Sequence, residues 1–205
     1  MQFFELKSRL DGFLVFSIAD IEKNDPSFHK QRLSEWQKKG YIKKIRQGFY
    51  VFSNIKITEE ILFLAANAIY RPSYISLEMA LSLHGLIPES VYSITSITSQ
   101  KTNRFKTVIG NFIYRHVKPE LMFGYELKNY DGRSYMIAEI EKALLDYFYL
   151  NPHIRDDKDF EGLRLNIDEF KAKADRAKFK RYLEAFNNKA LSVRANKFLT
   201  CIDHA

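Results

Sequence analysis

Two kinds of hydrophobic spacing stand back to back in the first 52 residues, and few folds accept that order. Up to about residue 39 the apolar residues recur at helical spacing. From Tyr41 the runs Tyr41-Ile42-Lys43-Lys44-Ile45 and Phe49-Tyr50-Val51-Phe52 flank Arg46-Gln47-Gly48, the pattern of two strands joined by a glycine turn. The helical part divides by its own stop signals. Phe3, Leu6 and Leu10 share one face of a first helix that Gly12 ends, and Phe13–Phe16 is a short apolar stretch. Ser17 is placed to cap a helix over Ile18–Lys23, Asn24-Asp25-Pro26 makes a turn, and Ser27 is placed to cap a third helix over Phe28–Lys39 that Gly40 terminates. Three helices followed by a hairpin is the element order of a winged helix-turn-helix. The spacing therefore predicts such a domain over residues 1–57, with Asn54–Ile57 as linker.

On the third helix His29, Leu33 and Trp36 are expected to face inward. Ser27, Lys30, Gln31, Ser34 and Lys38 are expected to face out, with Lys43, Lys44, Arg46 and Gln47 on the hairpin and its tip. Amides, hydroxyls and cations are the groups that contact base edges and phosphates, so these nine residues are the candidate surface for double-stranded DNA. Charge is distributed in keeping with this. Residues 28–56 hold 8 basic and 1 acidic residue, residues 57–170 hold 12 and 16, and residues 171–197 hold 9 and 2. Two basic blocks flank an acidic middle, and the net charge of +7 is their balance.

From residue 58 an α+β domain is expected. Thr58 opens a helix that Arg71-Pro72 stops, and Ser76 is placed to cap Leu77–His84. The period then changes to two at Tyr92–Thr98. Further strands are expected at Asn103–Thr107, Phe112–Val117, Gly124–Lys128 and Ser134–Ile137, the last two joined at Asp131-Gly132. A helix follows over Ala138–Tyr149. The tail carries three more, at Ile167–Ala174, Arg176–Asn187 and Ala190–Ile202, which form a basic helical bundle.

Little in the chain suggests catalysis. Glu139, Glu141 and Lys142 offer a nuclease-like set, but Glu141 and Lys142 are adjacent in a helical context and would point about 100° apart. His84 and His116 lack an i+4 partner, and Asp156-Asp157-Lys158-Asp159 departs from the calcium-loop spacing and is expected to be a solvated loop. No glycine-rich phosphate loop occurs, so no cofactor is expected. The single cysteine, Cys201, rules out an internal disulfide framework. Charged residues within the first seven positions argue against a secretory signal, and a cytoplasmic, non-membrane protein is expected.

Two segments resemble a known family. Ser73-Tyr74-Ile75-Ser76-Leu77-Glu78-Met79-Ala80-Leu81-Ser82-Leu83-His84-Gly85-Leu86-Ile87-Pro88-Glu89 and Ala138-Glu139-Ile140-Glu141-Lys142-Ala143-Leu144-Leu145-Asp146 are similar to AbiEi-type antitoxins, the regulator half of type IV toxin–antitoxin pairs. The Arg46-Gln47-Gly48-Phe49-Tyr50 hairpin turn fits the same family. The resemblance covers about residues 15–150. It implies a repressor that binds inverted repeats in its own promoter. It also implies an opposing nucleotidyltransferase-like toxin, whose neutralisation does not require a stable complex, and the chain itself is expected not to be an enzyme. Where the family often carries Ser-Pro-Glu-Lys, this chain has Glu139-Ile140-Glu141-Lys142, and Ala138 and Glu139 can still begin the helix. The alternatives of another class are a nuclease tethered to a winged helix, or an RNA-binding or protein-interaction module that uses the basic C-terminal helices.

Overall fold

The computed structural model of the chain describes residues 1–88 and 91–203. The protein is mixed α+β, with ten α-helices and two sheets among the described residues. Glu89, the last residue of the first family-like segment, lies outside the described residues.

The N-terminal unit runs α1 (Phe3–Arg9), β1 (Phe16–Ser17), α2 (Ile18–Asn24), α3 (Gln31–Lys38), β2 (Ile42–Arg46) and β3 (Phe49–Phe52). Its three strands order as β1-β3-β2, antiparallel throughout. Ser17 caps α2 as expected. Its hydroxyl accepts from the Asp20 amide, and the Asp20 carboxylate returns a bond to the Ser17 amide. The third helix departs from expectation. It begins at Gln31 with Lys30 at the N-cap, because Ser27 is held in the preceding turn: its hydroxyl and its amide both donate to the Asp25 carboxylate. The turn chemistry of Asp25 outcompetes capping by Ser27. His29 is accordingly exposed, and Phe28 takes the inward place beside Leu33 and Trp36. These three form a core with Leu6, Leu10, Phe16, Ile21, Ile42, Tyr50 and Phe52.

The second sheet has six strands in the order β6-β7-β5-β4-β9-β8: β4 (Ser73–Ile75), β5 (Ser93–Thr98), β6 (Asn103–Lys106), β7 (Asn111–His116), β8 (Tyr125–Tyr130) and β9 (Arg133–Ala138). β5 and β7 are parallel, β4 runs parallel to β9, and the remaining neighbours are antiparallel. Helices α4 (Glu59–Ile69), α5 (Leu77–Leu83) and α6 (Ile140–Leu150) pack on it, followed by α7 (Asp157–Gly162), α8 (Ile167–Lys173), α9 (Arg176–Ala185) and α10 (Lys189–Asp203). The expected solvated loop at Asp156–Asp159 is instead a helix start. Asp156 and Asp159 form a reciprocal capping box that opens α7, whose Phe160 is buried. In the tail, Phe179, Leu183 and Phe186 are core residues.

The hairpin β2–β3 belongs to both cores. Ile42, Tyr50 and Phe52 point to the first, while Ile45 and Val51 point to the second. Strand alternation alone sets Ile42 and Ile45 on opposite faces, and likewise Val51 against Tyr50 and Phe52. The bulge between Lys44 and Arg46 adds the residue that puts Arg46 opposite Phe49, on the side of the second core. No helix among the described residues is long and apolar enough to cross a membrane.

Candidate nucleic-acid interface

Helix α3 is anchored by Leu33 and Trp36, which are almost fully buried. Turning 100° per residue from that anchor brings Gln31, Ser34, Glu35 and Lys38 onto one row, and all four are exposed. Gln37, beside the row, folds its amide back onto the Leu33 carbonyl at 3.0 Å and is partly buried. The row therefore presents an amide, a hydroxyl, a carboxylate and an ammonium without an apolar side chain among them. Lys39 continues it past the helix end, and Lys43 and Lys44 stand exposed on β2.

Of the nine residues singled out from the sequence, Gln31, Ser34 and Lys38 share this row. Lys43 and Lys44 lie on the neighbouring strand, and Gln47 is exposed at the hairpin turn. Lys30 is exposed at the helix start, where its ammonium pairs with Glu22 at 2.9 Å. Ser27 lies outside α3, bound to Asp25. Arg46 requires a correction. The bulge turns its side chain away from solvent, so the guanidinium donates to the Ile69 carbonyl and lies 4.3 Å from the Phe105 ring centre and 5.4 Å from that of Tyr70. Its charge is spent inside the molecule, between the hairpin and the six-stranded sheet. The hairpin tip is therefore pinned rather than projecting, with the Gly48 carbonyl also accepting from the Ile18 amide at 2.9 Å.

Part of the second basic block is paired with carboxylates. Lys173 pairs with Glu169, Arg176 with Asp203, Lys178 with Glu139 and Lys197 with Asp157, and Arg194 donates to the Phe148 carbonyl. The carboxylates all come from outside the block and offset part of the charge that the sequence concentrates there.

The two family-like segments meet at a buried polar cluster that spacing alone did not expose. The Lys142 ammonium pairs with Asp146 one turn along α6 and donates to the Tyr74 hydroxyl at 2.8 Å. Tyr74 and Ser76 each donate to Asp146 Oδ2 at 2.8 Å. Lys142 and Asp146 are both 0% exposed. Burial pushes the Lys142 ammonium down and the Asp146 carboxyl up, each toward its neutral form, and their mutual attraction opposes both shifts. The rings of Phe123 and Phe186 lie 4.9 and 4.7 Å from the ammonium. His84 adds a second tie, 2.8 Å from the Ala138 carbonyl. Ser76 was expected to cap α5, but its hydroxyl is committed to Asp146 and makes no capping bond. Leu77, next to it, adopts φ 60°, a left-handed conformation that a buried leucine keeps only when its surroundings enforce it. The legible hint was Lys142 and Asp146 four residues apart on a helix whose buried positions are otherwise mostly apolar. The cluster is closed to solvent, so Lys142 sits apart from any external substrate, and no group of three or more potential metal-ligating side chains occurs among the described residues.

No protein-family model matches this chain, and no curated protein matches it.

Proposed function

We propose that the N-terminal unit is a winged helix-turn-helix that binds double-stranded DNA through α3, and that the chain acts as a transcriptional autorepressor. The observation that carries this is the exposed row Gln31, Ser34, Glu35 and Lys38, backed by Leu33 and Trp36 and flanked by Lys43 and Lys44. The element order α-β-α-α-β-β and the three-stranded sheet β1-β3-β2 support the winged-helix reading. Lysines outside the helix row would neutralise phosphates, while the amide and hydroxyl of Gln31 and Ser34 would meet base edges. Glu35 on the same row would accept from a cytosine amino group.

The resemblance of Ser73–Glu89 and Ala138–Asp146 to AbiEi-type antitoxins extends the proposal. In that reading the protein is a cytoplasmic, non-enzymatic antitoxin of a type IV pair. It represses from inverted repeats in its own promoter and opposes a nucleotidyltransferase-like toxin without requiring a stable complex. The test is a gel-shift titration against the DNA upstream of its own gene, with scrambled duplex as competitor, at two salt concentrations. A shift that resists the competitor and weakens with salt is expected. Equal affinity for scrambled DNA would overturn the repressor reading.

A further inference from the structure

Strand β8 ends the six-stranded sheet, and no described element pairs with its outer edge. The strand reads Tyr125-Glu126-Leu127-Lys128-Asn129-Tyr130 and is exposed along its centre, Leu127 being 65% accessible. An unpaired edge is a template for another strand, and natural edges commonly carry a single lysine to repel one. Here the lysine is matched. Glu126 and Lys128 stand two residues apart on the same face, and their charged groups are 2.9 Å apart. We infer that β8 is a self-pairing edge through which two copies of this chain form a continuous antiparallel sheet across a two-fold axis at Leu127.

The register follows from geometry. A two-fold axis normal to the sheet keeps every side chain on its own face, so the residues brought opposite one another must have the same parity. An axis at Glu126 would set that carboxylate against its own copy. An axis at Lys128 would do the same with two ammonium groups. Only the axis between them, at Leu127, sets Glu126 of each copy opposite Lys128 of the other, which makes a square of alternating charge.

Main-chain polarity agrees with that register. Asp131 and Gly132 both have positive φ, 47° and 71°, and Tyr130 pairs with Arg133, as in a two-residue hairpin with a primed turn. In such a hairpin the flanking pair exchanges both hydrogen bonds, and alternation along β8 then turns the main-chain groups of Tyr125, Leu127 and Asn129 outward. With the axis at Leu127, the two copies of Leu127 face each other as a hydrogen-bonded pair, as do Tyr125 and Asn129. Glu126 and Lys128 fall at the non-bonded positions, where opposing side chains approach most closely.

One strand edge is a small contact, so the dimer belongs to the weak class, and DNA plays no part in the test. Sedimentation equilibrium of the full chain up to about 100 µM is expected to show a monomer–dimer equilibrium. Lys128→Glu places like charges opposite each other twice and is expected to weaken the dimer roughly tenfold or more. Glu126→Lys is expected to do the same. The double variant Glu126→Lys/Lys128→Glu restores the alternation and is expected to recover the wild-type dimer. A wild-type chain that stays monomeric overturns the inference. So do single variants that dimerise as the wild type does, and so does a double variant that fails to recover.

Discussion

Arg46 and Lys142 show how much a cation's role depends on what surrounds it. Both belong to stretches that read as functional in the sequence, and both are spent on packing. Arg46 holds the hairpin to the six-stranded sheet through the Ile69 carbonyl and the rings of Phe105 and Tyr70. Arg46→Ala removes a charged hydrogen bond to a main-chain oxygen and a cation–ring contact, and is expected to cost about 2 kcal/mol of stability, read by denaturant titration. Its effect on DNA affinity at a temperature where the variant is folded should be small. A large loss of affinity with unchanged stability would return Arg46 to the binding surface. At Lys142, exchange for Met leaves Asp146 buried without its cation and is expected to cost about 3–5 kcal/mol. Exchanging Asp146 for Leu in the same chain removes the unpaired carboxyl but strands the Tyr74 and Ser76 hydroxyls that donate to it, so only part of that loss is expected to be recovered. A double variant as unstable as the sum of the singles would show that the pair is not coupled.

At the level of elements, α3 carries the exposed polar row. On the proposed function, Gln31→Ala should narrow the difference in affinity between operator and scrambled duplex. Lys44→Ala should instead weaken both alike and flatten the salt dependence, and competition gel shifts separate the two. Variants that leave both quantities unchanged would remove α3 and β2 from the interface. Elements with a clear local signal were legible from sequence: α2 with its Ser17 cap, strand β7 with its alternating burial, the β-branched run of β5, which is buried on both faces, and the Asp131-Gly132 hairpin all stand where the sequence placed them. Elements without such a signal were not. Strand β4 is three residues long and buried on both faces, so it never alternates. Helix α7 hid behind its acidic sequence, although its Asp156–Asp159 capping box was there to be read. The exposed row of α3 was visible because Leu33 and Trp36 fix its phase. The inward turn of Arg46 was not, because a one-residue bulge leaves no mark on composition.

For the molecule as a whole, the two cores meet at the hairpin β2–β3 and at the contact of Arg133 with the N-terminal unit. The Arg133 guanidinium lies 3.8 Å from the Phe13 ring centre, and its Nε donates to the Gly12 carbonyl at 3.3 Å. Separate unfolding of the N-terminal unit would expose Ile45 and Val51, so a single cooperative transition is expected. The chain has one tryptophan, Trp36, which lies in the first core, while most of the secondary structure surrounds the second. Trp36 fluorescence and far-ultraviolet circular dichroism should therefore report the same midpoint in urea. Two midpoints would show that the units melt independently. The shared hairpin also bears on how such a protein could have been assembled or can be re-engineered. Its two halves are not interchangeable cassettes: a different N-terminal unit could be grafted on only if it arrived with a hairpin whose underside matched this sheet, and a segment cut after residue 57 would leave with part of its neighbour's interior attached.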